Sequence, residues 1–98
     1  MQRDDVIARL KAHQRELNRA GVISLAVFGS VARGEAGPLS DVDLMAEFDD
    51  ARRLSLFDLV GLENRLTELV GGRVDLADRR NLKEFVKANA EREAVLVF

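Results

Sequence analysis

The chain contains no cysteine, one histidine and one proline. Without cysteine there is no disulfide and no thiolate metal site. With His13 alone there is no second histidine to share a metal, and no plausible Ser-His-Asp arrangement, so His13 reads as a residue at the edge of an apolar stripe, packed against its neighbours. Neither a P-loop pattern nor a dinucleotide-binding glycine fingerprint is present. No apolar run is long enough to cross a bilayer, and there is no repeat or low-complexity tract. The opening Met1-Gln2-Arg3-Asp4-Asp5 does not read as a signal peptide. Charge of one sign is lacking too. Fifteen basic residues face seventeen acidic ones, for a net charge of -2. That gives no strong field for gripping a nucleic-acid backbone.

What remains is ordinary for a small globular chain. The composition is 47% hydrophobic and 33% charged over 98 residues, enough for one core and no second unit. The expectation is a single domain over residues 1–98, in the cytoplasm and away from membranes.

Periodicity places the elements. Val6, Leu10, His13 and Leu17 recur at helical spacing and predict one amphipathic helix over residues 4–20, closed by Gly21. Residues 22–28, Val-Ile-Ser-Leu-Ala-Val-Phe, are nearly continuous and β-branched, as in a strand buried on both faces. Gly29 permits a tight turn. A short helix from Ser30 would aim free backbone N–H groups and a hydroxyl at an anion above the strand's end, which favours a phosphate. Residues 34–40 are turn chemistry. Residues 41–48 then predict a strand with Val42, Leu44, Ala46 and Phe48 on one face and Asp41, Asp43, Met45 and Glu47 on the other. Ser55 with Asp58 predicts a capped second long helix whose wide apolar stripe, Leu56 to Val70, leaves surface for a partner; Gly61 within it suggests close packing. A short strand over residues 73–77, a helix started by Asn81 and Glu84, and a last strand within residues 94–98 complete the chain. Arg52-Arg53 and Arg79-Arg80 read as solvated faces. These elements predict an α/β (α+β) fold, with a small mixed sheet of about four strands and helices mainly on one face.

The chemistry lies between residues 29 and 44, GSVARGEAGPLSDVDL. Two carboxylates, Asp41 and Asp43, share a strand face one residue apart. They repel each other and are costly to bury without a cation. Magnesium is the natural one, because it takes hard oxygen ligands from one or two carboxylates plus substrate phosphates. Arg33 suits either a nucleotide phosphate or a nearby carboxylate.

Gly29-Ser30, ten residues, then Asp41-Val42-Asp43 resembles the signature of the DNA polymerase beta-like nucleotidyltransferases. The fuller GSVARG…SDVDL is similar to their smallest members, the minimal nucleotidyltransferase antitoxins found beside HEPN-domain toxins. The resemblance runs from about residue 22 to about residue 77. It implies a third acidic residue on a neighbouring strand, for which Asp75 matches and Asp78 competes. It further implies two magnesium ions held by Asp41, Asp43 and Asp75, with ATP bound by Gly29, Ser30 and Arg33. The expected reaction is transfer of AMP to a hydroxyl of a cognate HEPN toxin. A non-catalytic antitoxin that only covers the toxin, and nucleotide addition to a tRNA end, are the alternatives.

Overall fold

The computed structural model describes residues 2–35, 37 and 40–98. Four strands form one sheet in the order β3-β2-β1-β4. β1 (Val22–Phe28) and β2 (Val42–Phe48) are antiparallel, β3 (Val74–Asp78) runs parallel to β2, and β4 (Val95–Leu96) is antiparallel to β1. The mixed four-stranded sheet is the one the pattern predicts.

The predicted strand face Val42, Leu44, Ala46 and Phe48 is buried throughout. It joins Val6, Leu10 and Leu17 with Leu62, Leu66 and Val70 of the long helix α4 (Leu56–Val70) in one core. The opposite sheet face carries a smaller cluster, Ala26 and Met45 beneath Ala90 of the helix α5 (Glu84–Glu93). So the helices do lie mainly on one face, and α5 covers part of the other.

The single helix expected over residues 4–20 is in fact two, α1 (Arg3–Lys11) and α2 (Gln14–Arg19). The last turn of α1 tightens, with the His13 amide bonded to the Leu10 carbonyl at 3.0 Å. His13 leaves helical geometry at φ -109, ψ 20, and its Nδ1 lies 2.9 Å from the Arg9 carbonyl oxygen. The apolar stripe survives the break, since Leu17 is fully buried with Val6 and Leu10.

α4 begins as its sequence requires. Ser55 accepts from the Asp58 amide at 3.1 Å, and Asp58 accepts from the Ser55 amide at 2.8 Å, a complete capping box. Gly71 ends it in the left-handed conformation, φ 79. The first turn leaves Leu56 and Phe57 exposed, and Val60 half so. Gly61 does not mark close packing: it faces solvent, and an added Cβ there meets nothing within 4 Å.

Three boundaries differ from expectation. Asp41 precedes β2 instead of opening it, and β3 runs from Val74 to Asp78. Asn81 does not cap a helix; it closes a 3-10 turn, Arg79–Asn81, that Asp78 caps by accepting from the Arg80 amide at 2.9 Å. α5 therefore starts later, after Lys83. The last strand is short, but the chain stays tied to β1 beyond it, through Val97 N–H to the Leu25 carbonyl at 2.8 Å. In the loop expected over residues 34–40, Ala36, Pro38 and Leu39 lie outside the described residues.

The core and the helix surface should respond oppositely to alanine. Leu66→Ala opens a cavity in a fully buried position and should cost about 2–5 kcal/mol in urea unfolding. Gly61→Ala should stabilise by about 0.5–1 kcal/mol. A loss at Gly61 would mean that the surface there is covered.

Candidate active site

β1 ends at Phe28, directly opposite Asp43 in the antiparallel register, and Asp43 is in turn level with Asp75 in the parallel register. Neighbours in register point to the same side of a sheet. Three elements distant in sequence therefore present the Gly29 turn, Asp43 and Asp75 along one line. Asp41 stands two residues before Asp43, exposed, with Arg73 Nε 3.6 Å from its Oδ1.

Gly29 takes φ 72, the left-handed region, and passes into a one-turn helix, α3 (Gly29–Ala32). Its freedom of φ is only half of why glycine stands here. A Cβ on Gly29 would run into Oδ2 of Asp43 and lie 3.1 Å from its Cγ. The Asp43 carboxylate thus rests against the Gly29 backbone. Ser30 is half-buried at the first turn, and its carbonyl accepts from the Glu35 amide at 2.9 Å.

Burial raises the Asp43 pKa above its ordinary value; the carboxylates of Asp75 and Asp41 push it further, and the Arg33 guanidinium draws it back. Arg33 is held by Glu35 (Nε to Oε2, 2.9 Å) and by Glu93 (Nη1 to Oε2, 2.8 Å). Asp78 sits three residues beyond Asp75, level with Ala46, with its side chain occupied by the Arg80 amide. His13 is taken up by the Arg9 carbonyl. The geometry gathers Gly29, Asp41, Asp43 and Asp75, with Arg33 at the edge, and leaves Asp78 and His13 elsewhere. Glu35, Glu93 and Arg73 were not foreseen as neighbours of this site. Glu93 lies 60 residues from Arg33, and no local spacing announces such a pair.

The donor set suits magnesium, being carboxylate oxygen throughout, and the mutual repulsion at Asp43 is what a cation relieves. Among the described residues no group of three or more acidic or histidine side chains closes on one point. The arrangement among the described residues is an open ledge of carboxylates.

The site is thus a glycine turn set against strand carboxylates on a mixed sheet of α+β architecture. The chain belongs to the nucleotidyltransferase domain family, which matches residues 7–97. It is 40% identical over 95 residues to protein adenylyltransferase MntA of Thermococcus cleftensis, covering 96% of this chain and 94% of that one. A candidate minimal nucleotidyltransferase of known structure superposes with a TM-score of 0.82 at 38% identity, covering 97% of this chain and 95% of that one. The fold also matches a complex of a tri-AMPylated Shewanella oneidensis HEPN toxin with its MNT antitoxin. There the TM-score is 0.60 at 15% identity, covering 89% of this chain and 70% of that one.

Two substitutions test the contact at its centre. Gly29→Ala should displace the Asp43 carboxylate and abolish nucleotide transfer, while far-ultraviolet dichroism stays that of the parent. Because the Asp43 pKa is raised in the fold, the folded chain holds that proton where the unfolded chain has lost it, and stability falls as pH rises through that range. In a metal chelator Asp43→Asn should therefore raise the urea midpoint at pH 7. The advantage should vanish below the unfolded value of 3.8. A midpoint lowered at pH 7 would show the carboxylate to be stabilising.

Proposed function

We propose that the chain transfers AMP from ATP to a side-chain hydroxyl, tyrosine by preference, of a cognate HEPN-domain toxin, and so acts as its antitoxin. The observation that carries this reading is the Asp43 carboxylate seated on the Gly29 backbone, with Asp75 across the strand and Asp41 beside it. The adenylyltransferase relative and the AMP-modified toxin bound to a protein of the same fold support the choice of reaction and acceptor.

The residues divide the work by position. Asp41 and Asp43, with Asp75 beside them, would hold the magnesium ions that accompany the triphosphate. The metal supplies charge neutralisation at the phosphates and a more acidic acceptor hydroxyl. The Gly29 and Ser30 backbone would bind the β- and γ-phosphates, with Arg33 on the same side. Asp75, on an outer strand and exposed, meets the acceptor and takes its hydroxyl proton. The acceptor oxygen forms its bond to the α-phosphorus as the bond to pyrophosphate breaks in line. A folded acceptor protein would wall the far side of the ledge that the described residues form. No helix among the described residues is long and apolar enough to cross a membrane.

Intact-mass spectrometry of the toxin after incubation with this chain, ATP and magnesium is the test. A gain of whole AMP units, lost with Asp41→Ala/Asp43→Ala and lost with a chelator, is the expected outcome. A stable complex with no mass gain would replace the reading with neutralisation by binding. Label from ATP on tRNA instead of protein would replace the acceptor.

A further inference from the structure

We propose that Glu93, with Glu35, positions the Arg33 guanidinium over the acidic ledge, and that this contact sets the affinity for the triphosphate of ATP. The inference rests on the ATP-dependent transfer proposed above. Arg33 is fixed at its root: its amide bonds to the Gly29 carbonyl at 3.1 Å, so it stands one helical turn from the glycine against which Asp43 rests. Its tip is fixed from two sides, by Glu35 through Nε and by Glu93 through Nη1. Nη2 is left without a protein partner among the described residues. A guanidinium held at two of its nitrogens, with the third still to donate, is a preorganised partner for one phosphate oxygen.

Glu93 is well placed to act from a distance. It is the last residue of α5, and α5 is seated on the sheet by Ala90, which packs on Ala26 and Met45. Two residues before Glu93, Glu91 pairs with Arg79 at 2.8 Å, which ties the same helical turn to the segment after β3. Glu93 thus belongs to a braced body, whereas Arg33 belongs to a one-turn helix that could not hold a long side chain alone. The Arg33 and Glu93 side chains are 41% and 38% exposed. Pairs so exposed contribute little to folding, so Glu93 can be altered without unfolding the chain.

Positioning and plain electrostatics predict opposite signs. Glu93 is a negative charge near a polyanion site, so its removal should tighten ATP binding if charge alone matters. If it positions Arg33, Glu93→Ala should weaken binding of a fluorescent ATP analogue, with magnesium, by about three- to tenfold, the worth of one lost hydrogen bond. Glu93→Gln keeps an acceptor oxygen and should restore wild-type affinity. In transfer assays the Ala variant should raise KM for ATP and leave kcat nearly unchanged. Arg33→Ala with Glu93→Ala together should bind no worse than Arg33→Ala alone, and Glu16→Gln, in the distant pair with Arg65, should change nothing. Equal or tighter binding by Glu93→Ala overturns the inference alone. Failure of the wild-type chain to bind the analogue overturns the proposed transfer as well, and this inference with it.

Discussion

The contact between the Asp43 carboxylate and the Gly29 backbone constrains more of this chain than any other. It needs a residue without a side chain at the end of β1, and a left-handed turn at the same place. It also needs an antiparallel register that puts Phe28, and not a neighbour, opposite Asp43. A slip of one residue would turn Asp43 into the core and Val42 and Leu44 out of it. The buried face of β2 therefore fixes the register, and the register delivers the acid. Core packing and site geometry are one constraint here, seen from opposite faces of the same strand.

Much of this was legible because the signals are local. The alternation across residues 42–48, the β-branched run before Gly29 and the Ser55–Asp58 box all act within a few residues, and all appear in the fold. That Gly29 and Asp43 belong to one site was readable because the intervening spacing is a family pattern. At His13 the amide bonds back to the Leu10 carbonyl, and α5 begins only after Lys83, closures that the apolar spacing alone does not set. Gly61 looked like a packing glycine because helical glycines are costly, but cost alone does not say what, if anything, comes close. Glu93 was unreadable: its partner is set by where α5 lands, which is a property of the folded sheet.

The placement of Asp75 shows what topology adds to a motif. In sequence it is a lone aspartate between valine and leucine, with Asp78 a few residues on. The parallel register puts Asp75 level with Asp43, while Asp78 is level with Ala46, whose side chain belongs to the core face. Three residues along a strand reverse the direction of a side chain, so the two aspartates serve opposite sides of the sheet. Asp78 is then free to cap the turn that follows.

The charge at this end of the sheet decides what can bind there. Asp41, Asp43, Asp75, Glu35 and Glu93 are five carboxylates around two guanidiniums, Arg33 and Arg73. Five negative charges against two positive leave the ledge at about -3 when all are ionised. A bare triphosphate would be repelled from it. On the transfer proposed above, the same polyanion with a divalent ion would be drawn in, because the ion's charge would fall between two sets of oxygens at contact distance. The acids would thereby exclude the free nucleotide and admit its magnesium complex, and the Arg33 pairing would keep one cation in place before the mobile ion arrives.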